Sequence, residues 1–497
     1  MSNNLSGKQR SERRGRETTD KYRSESRRDR DRIRYSRLFR RLSGVTQVAH
    51  SEESYLFHNR LTHSMKVANL AASLARMFYK RKGVELKYAA GMQLNNYPQE
   101  GTLEATLDPY TVEAASHAHD LGHPPFGHAG EDELNDIVEE KSEEEVDETH
   151  GFEGNAQSFR MISSLGYYDE ANGMALTRAT LNATLKYPWS RGDDEYEEDE
   201  KWGYYDEPHT QDADIFNWAR RPIRPVRRKE KVFEAQVMDF ADDVTYAVHD
   251  LIDFFKTGII PLDSLFREAI GQDSSSNGSL DKYGTDSSNE LSEFKIYLKD
   301  ETDVDPSDIG DGLTLSEFLL DIIRDQRKEL YPAILSPYRD TDEERRAMRE
   351  LASDLVSQYL ESNRVSGNNL STEEKTEGIY DLINGWEDQI TVLKSLTKYY
   401  VITNPTLMQQ QHGQRKVLRE LYEFFYSEAE SVQDCKHPKS IIPSPYRQRI
   451  QNAGETTAPL YRCVSDLVSS LTEQQALQLH KRLVGQTPGS LHNDIVG

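Results

Sequence analysis

The stretch from Ser116 to Glu131, which reads S-H-A-H-D-L-G-H-P-P-F-G-H-A-G-E, constrains this chain more than any other part of its sequence. It concentrates imidazoles and carboxylates at a density that neither an apolar core nor a solvated surface requires. The side chains concerned are His117, His119, Asp120, His123, His128 and Glu131. Such a cluster predicts a metal site combined with acid-base chemistry.

The local pattern divides this stretch into two helices joined by a turn. Alanines before His119 predict a packed helix, and the adjacent Asp120 adds a carboxylate to its imidazole, a ligand pair that suits Mn, Mg, Co, Fe, Ni or Zn. Two consecutive prolines then impose an extended turn. His128 and Glu131 stand three residues apart on the second helix and therefore share a face. A carboxylate there orients the imidazole and raises its basicity, as a proton-transfer pair requires.

The same string resembles the signature of HD-superfamily phosphohydrolases, and specifically that of the deoxyguanosinetriphosphate triphosphohydrolase-like family, whose pattern runs close to H-D-[IL]-G-[HN]-P-P-F-G-H-x-G-E. Further motifs extend the resemblance from about Asp29 to Leu483. The resemblance implies an all-α fold, with an HD-domain helical core and a helical C-terminal extension. It also implies metal-dependent hydrolysis of a deoxynucleoside triphosphate, dGTP among them, to deoxynucleoside and triphosphate.

The resemblance supplies a set of four metal ligands. His63, in F-H-N-R-L-T-H-S at the start of an amphipathic helix, resembles the first ligand, and His119 with Asp120 resembles the next two. Asp242, on a strongly apolar helix, resembles the last. Its neighbour Asp243 points roughly 100° away around the helix, so we expect Asp243 to support the ligands or to form a salt bridge.

Four residues are expected to perform or assist proton transfer. His128, oriented by Glu131, would act at the scissile bond, either by activating water or by protonating the 5′-oxygen. His123 belongs to the same motif, and His150, in H-G-F-E-G-N-A-Q, resembles a further active-site histidine of the family.

Substrate contacts are also expected from the resemblance. Those to the phosphates and their surroundings are Arg60, Lys186, Tyr187, Lys201 and Arg462, and those to the sugar are Gln47, Tyr246 and Asp250. Taken singly, Gln47 also fits a buried amide near a turn, although a sugar contact is the preferred interpretation, and either lysine fits a solvated side chain. The segment Y-R-C-V-S-D-L-V-S-S-L-T-E-Q-Q-A, which begins at Tyr461, resembles a C-terminal motif of the family. It departs from the family pattern at Ser470 and Gln475, so the resemblance does not specify the base or sugar preference.

Composition excludes several classes of protein. Two cysteines, Cys435 and Cys463, provide neither a disulfide framework nor a cysteine metal cluster, and no apolar run approaches the length of a membrane span. We therefore expect a cytoplasmic protein without a membrane partner. The net charge of -24 repels polyphosphate at long range, so local cations and a metal must overcome it.

Changes in composition along the chain, together with the family resemblance, predict four regions. They are a flexible arginine-rich tail at 1–28, the HD-domain core at 29–260, an insertion or loop at 261–311 and a helical region at 312–497 that contributes to the nucleotide pocket. The family resemblance implies a homo-oligomer such as a hexamer, with a nucleotide or single-stranded DNA as effector. The alternatives are another HD-type nucleotide phosphohydrolase, and a nucleotide sensor or single-stranded nucleic-acid binder.

Overall fold

The computed structural model describes residues 10–14, 22–47, 57–82, 107–166, 173–193, 201–221, 229–272, 289–309, 312–324, 326–361, 386–434 and 440–487. These ranges contain helices and isolated β-bridges but no strand. The all-α prediction is therefore confirmed. None of the described helices is long and apolar enough to cross a membrane.

The chain divides into two compact units, one formed by residues 1–54, 59–241 and 409–497, and the other by residues 55–58 and 242–408. The predicted regions placed the end of the core at residue 260 and kept the C-terminal part together, whereas the division falls within two long helices. Those helices are Phe233–Lys256 and Pro405–Asp434.

The first unit contains helices before and after the stretch from Ser116 to Glu131. In chain order they are α1 (Glu25–Arg34), α2 (Arg37–Arg41), α3 (Arg60–Lys82), α4 (Pro109–Ala118), α5 (Gly127–Val146), α6 (Gly154–Arg160), α7 (Arg178–Ala183), α8 (Asp212–Arg220) and the start of α9 (Phe233–Lys256). One apolar core joins α1, α2 and α4 through side chains such as Ile33, Phe39 and Ala118. Because α4 lies within this core, the residues that follow it are held rigidly.

The C-terminal part of the chain supplies a second core to the same unit. Its helices are the end of α16 (Pro405–Asp434), α17 (Ser444–Gln451), α18 (Leu460–Ser469) and α19 (Glu473–Leu483). Phe126 and Leu134 pack with Leu418, Val464 and Leu467. The C-terminal segment therefore packs against the turn and the helix that follow His119 and Asp120.

The second unit is also helical. It holds the remainder of α9, then α10 (Leu262–Gln272), α11 (Glu290–Glu301), α12 (Leu315–Arg324), α13 (Tyr331–Ile334), α14 (Asp342–Glu361), α15 (Glu387–Thr397) and the start of α16. Helix α10 packs on α12, and both present buried leucines and phenylalanines.

Two of the predicted regions contain ordered structure where the chain is described. In the region predicted as a tail, Arg10 bonds Glu234, and Arg13 bonds both Asp29 and Glu25. Glu234 is buried and lies 224 residues from Arg10 in the sequence. The stretch 261–311, predicted as an insertion or loop, contains α10 and α11, whose apolar positions are buried.

Candidate active site

The first turn of α3 carries Arg60 and His63, and a reciprocal cap fixes where this helix begins. The side-chain oxygen of Asn59 accepts a hydrogen bond from Thr62 N at 3.0 Å, and the Thr62 hydroxyl accepts one from Asn59 N at 3.1 Å. The Arg60 amide donates to Val45 O at 3.2 Å. Because backbone donors at a helix start otherwise lack partners, these bonds place Arg60 and His63 firmly.

His119 and Asp120 lie immediately after α4, both buried. The Nδ1 of His119 is 2.7 Å from the carbonyl oxygen of Ser116, so Nδ1 carries the ring proton and Nε2 is the atom suited to a metal. Nε2 lies 3.5 Å from Asp120 Oδ1. The rings of His63 and His119 have centroids 5.8 Å apart.

His63, His119 and Asp120 belong to the first unit, whereas Asp242 begins the part of α9 that belongs to the second unit, so its place among the ligands stays a prediction. Two imidazole nitrogens and carboxylate oxygen form a donor set that fits a borderline divalent cation. Asp243, the next residue of α9, instead forms a salt bridge with Lys394 at 2.8 Å. The histidine and aspartate cluster could therefore bind a metal ion.

The groups that surround Asp120 lower its pKa. Burial by itself would raise its pKa, but His119, Arg60, His123 and His63 together hold that pKa well below its usual range. Arg60 Nη1 lies 3.0 Å from Asp120 Oδ2. An ionised carboxylate is the form that ligates a cation.

A second cluster joins His123, His128 and Glu131, whose donor atoms lie within 4.8 Å of one another. Glu131 Oε2 lies 3.0 Å from His128 Nδ1 and 3.8 Å from His123 Nε2. Glu131 Oε1 accepts a hydrogen bond from Gly154 N at 2.6 Å. Glu131 is thus fixed between two imidazoles and the start of α6.

The two histidines of this cluster differ in environment. The side chain of His128 is 57% exposed, whereas that of His123 is 8% exposed. Burial, together with the nearby charge of Arg60, lowers the pKa of His123 to about 3. The pKa of Glu131 is lowered although burial opposes this, because His123 and His128 lie beside it. His128 is therefore the exposed imidazole beside an ionised carboxylate.

Close backbone packing holds the loop that carries these residues. A Cβ atom added at Gly122 would lie 2.2 Å from Ser158 N and 2.3 Å from Gly154 O, so only glycine fits there. The Ser158 hydroxyl donates to His119 O at 2.6 Å and accepts from Gly122 N at 2.8 Å. Ser158 was not predicted from the sequence, where it is one of several polar residues in a helical segment.

Two predicted substrate contacts are buried near the metal ligands. Arg60 is 2% exposed, and its Nε and Nη2 have no hydrogen-bond partner among the residues that the structure describes. Gln47 is also buried, and its Oε1 lacks a partner within the same described ranges. Buried polar atoms of this kind are rare without a ligand or water, so both side chains are suited to receive a bound molecule.

The lysines and Tyr187 are placed differently. Lys186 forms a salt bridge with Asp239 at 2.7 Å, and Tyr187 packs edge-on against Trp189 with ring centroids 5.6 Å apart. Lys201 is exposed, and its carbonyl oxygen accepts the Trp189 indole N–H at 2.9 Å. Phosphate binding by these three residues remains a prediction.

Phosphate binding by Arg462 stays a prediction, and its buried Nη1 has no hydrogen-bond partner among the residues that the structure describes. The side chain of Arg462 is 0% exposed, forms a salt bridge with Glu207 and lies over the ring of Tyr205. Its sequence position gave no sign of Glu207, which lies 255 residues earlier. His150 lies beside this group, stacked on Tyr461 and 3.8 Å from Glu207.

Tyr246 and Asp250 lie on α9 in the second unit, four residues apart as predicted, with Asp250 buried and Tyr246 half-buried. Each has polar interactions in the folded chain. Their contact with a sugar remains a prediction.

The sequence also gave no indication of Glu153. This buried carboxylate accepts hydrogen bonds from Asn155 N at 2.5 Å and Ala156 N at 2.9 Å and so caps α6. Burial, reinforced by the charge of Glu131, raises the pKa of Glu153 to about 8. In the sequence, a glutamate before a helix shows no feature that predicts its burial or its raised pKa.

Comparison with known proteins agrees with this geometry. The model described as HD domain matches residues 60–247, and the model described as phosphohydrolase-associated domain matches residues 382–482. Several relatives carry the name deoxyguanosinetriphosphate triphosphohydrolase-like protein. One from Shewanella sp. strain ANA-3 is 25% identical over 94% of both chains. One from Corynebacterium glutamicum strain R is 27% identical over 91% of this chain and 89% of the relative. One from Streptomyces coelicolor is 40% identical over 49% of this chain and 51% of the relative.

Proposed function

We propose that this chain, an HD-type phosphohydrolase whose relatives are named deoxyguanosinetriphosphate triphosphohydrolase-like, hydrolyses a deoxynucleoside triphosphate to deoxynucleoside and inorganic triphosphate, with dGTP among its substrates. The observation that carries the proposal is the buried guanidinium of Arg60 beside Asp120, with the rings of His63 and His119 close together in the same unit. In the proposed mechanism the cation ligands and the phosphate-binding group would therefore be neighbours.

His63, His119, Asp120 and Asp242 are the proposed ligands of a divalent cation, which we expect to be Mn, Mg, Co, Fe, Ni or Zn. The hydrogen bond from His119 Nδ1 to Ser116 O orients Nε2 for this purpose. When bound, such a cation supplies Lewis-acid stabilisation of the charge at the scissile phosphorus.

Arg60 is the proposed main contact to the phosphates. Its planar guanidinium already uses one nitrogen on Asp120, and its Nε and Nη2 can donate to phosphate oxygens in the fork geometry that suits them. Lys186 and Lys201, with Tyr187 beside them, are proposed to complete the binding of the phosphate tail. Charge stabilisation of this kind is the main protein contribution to phosphoryl transfer.

His128 is the proposed proton-transfer group. Because Glu131 is ionised and lies at Nδ1, Nδ1 donates to Glu131 and Nε2 remains the atom that accepts or delivers the proton. That proton belongs either to the attacking water or to the 5′-oxygen. His123 and His150 are proposed to assist, and Gln47, Tyr246 and Asp250 to bind the sugar, where a tyrosine against the 2′ position would exclude ribonucleotides.

Product analysis tests this function. Purified protein is incubated with each deoxynucleoside triphosphate and Mn or Mg, and the products are separated by chromatography. Free tripolyphosphate together with deoxynucleoside supports the proposal, because it arises only from cleavage at the α-phosphorus. Release of orthophosphate or pyrophosphate would assign a different HD-type activity, and binding without turnover would favour a nucleotide sensor. A cytoplasmic location, a homo-oligomer and activation by nucleotides or single-stranded DNA remain predictions that this experiment does not address.

A further inference from the structure

We propose that Glu473 is a positioning residue. It fixes the separation between the loop that carries Gln47 and the loop that leads into the helix of His128. The inference rests on the proposed function, since those two residues are the expected sugar contact and proton-transfer group. Glu473 is the first residue of α19 and is completely buried.

A single carboxylate oxygen of Glu473 joins the two loops. Oε1 accepts a hydrogen bond from Thr46 N at 2.7 Å and another from Phe126 N at 3.2 Å. Thr46 precedes Gln47, and Phe126 precedes the helix that carries His128. Because hydrogen bonds from backbone amides to a buried carboxylate are strong and directional, this oxygen sets the distance between the loops.

The backbone at Phe126 requires such support. Phe126 has a φ of 71°, and Gly127 has a φ of 59°, a left-handed conformation that costs a bulky side chain free energy unless its surroundings enforce it. A Cβ atom at Gly127 would lie 3.2 Å from Thr46 O and 3.5 Å from Arg60 Nη2. The two loops and the proposed phosphate contact thus converge at the point that Glu473 holds.

Arg41 strengthens the same connection from another side. Its guanidinium donates to Leu121 O at 3.0 Å, to Leu471 O at 3.0 Å, and to the carbonyl oxygens of His123 and Ser469. The segment leading into α19 is therefore connected to residues 121–126 both by the guanidinium of Arg41 and by the carboxylate of Glu473. A carboxylate that merely capped α19 would need neither Thr46 nor Phe126, since Thr472 already caps that helix with Gln475.

The test compares Glu473→Ala with Glu473→Gln and with the control Glu344→Ala. Glu344 is also buried and accepts two backbone amides, from Arg339 at 2.8 Å and Thr341 at 3.0 Å. Glu344→Ala therefore removes the same number of backbone hydrogen bonds as Glu473→Ala, at a residue outside the proposed site. The amide oxygen of glutamine can still accept both hydrogen bonds, so Glu473→Gln should rescue most of the loss.

We expect Glu473→Ala to lower kcat/KM for the preferred deoxynucleoside triphosphate about 100-fold, the usual effect of displacing catalytic groups by about 1 Å. KM should rise because Gln47 moves, and kcat should fall because His128 moves. Affinity for Mn should change less than about twofold, because His63, His119 and Asp120 are held by other contacts. A purely structural role would lower kcat alone, in proportion to the fraction of protein that remains folded.

Hydrogen exchange provides a readout that does not depend on turnover. Peptides covering residues 42–47 and 121–128 should exchange faster in Glu473→Ala, and not in Glu344→Ala or Glu473→Gln. Equal exchange in the two alanine variants, or a kcat/KM for Glu473→Ala within about threefold of the control, would overturn the proposal. Absence of turnover in the wild type would refute the proposed function, while the exchange data would still decide whether Glu473 positions the loops.

Discussion

The ion pair between Arg160 and Asp466 offers a quantitative test of how the first unit is held together. Asp466, on α18, is 0% exposed, and its carboxylate accepts from Arg160 Nε and Nη2, each at 2.8 Å, and from Gln157 Nε2 at 3.0 Å. This is the two-pronged geometry that makes a guanidinium-carboxylate pair strong. The perturbation is Asp466→Asn, which keeps the size of the side chain and removes its charge.

The expected loss follows from what remains around Arg160. Removing one charge of a buried pair costs about 3–5 kcal/mol, because the other charge stays buried without compensation. Arg160 Nη1 still faces Asp212 at 3.2 Å, so we expect a loss near the lower end, about 3 kcal/mol. That is a large share of the roughly 5–15 kcal/mol by which domains are stable.

Urea unfolding followed by circular dichroism measures this loss as a change in the free energy of unfolding. The control is Asp340→Asn, since Asp340 pairs with Arg345 at 2.7 Å on the exposed surface, where ion pairs contribute little. We expect no measurable change for the control. If Asp466→Asn unfolded at the same urea concentration as the control, the reasoning about buried charge in this protein would be refuted.

Three further predictions concern the site and its surroundings. His119→Ala should lower Mn-dependent turnover at least about 1000-fold and weaken Mn binding in calorimetry, with the circular dichroism spectrum unchanged; retained Mn affinity would remove His119 from the ligands. His128→Gln should lower kcat about 100-fold without weakening Mn binding, and full activity would contradict its role in proton transfer. Burial raises the pKa of Asp212 from 3.8 to about 6, so the protonated carboxyl stabilises the folded state, and this contribution is lost as pH rises through about 6. Urea unfolding should therefore be measured for the wild type and for Asp212→Asn between about pH 4 and pH 7. As pH rises, the free energy of unfolding of the wild type should fall relative to that of the variant. A constant difference would show that the pKa of Asp212 is not raised.

The sequence determined the helical class and the local geometry of the motif. Apolar residues recurring at the helical period predicted the long helix that became Phe233–Lys256, because one turn of helix is a local repeat. The contact between His128 Nδ1 and Glu131 Oε2 at 3.0 Å followed from a spacing of three residues. A helix brings such neighbours together whatever surrounds them.

Only the tertiary structure decided which distant partner each charged side chain meets. Arg10 and Arg13 found buried carboxylates, although their segment resembles a solvated tail. Arg462, predicted to bind phosphate, forms a buried salt bridge with Glu207 that its sequence position did not indicate. Charge and residue type in a sequence show that a side chain needs a partner, but they do not identify it.

The same distinction applies to the residues that support the site. Glu473 accepts a hydrogen bond from Thr46, 427 positions away in the chain, and Asp466 pairs with Arg160, 306 positions away. No periodic pattern in the sequence connects such pairs, because their contact depends on how α18 and α19 pack within the first unit. The motif specified which chemical groups are present, and the packing of distant helices fixed how those groups are held.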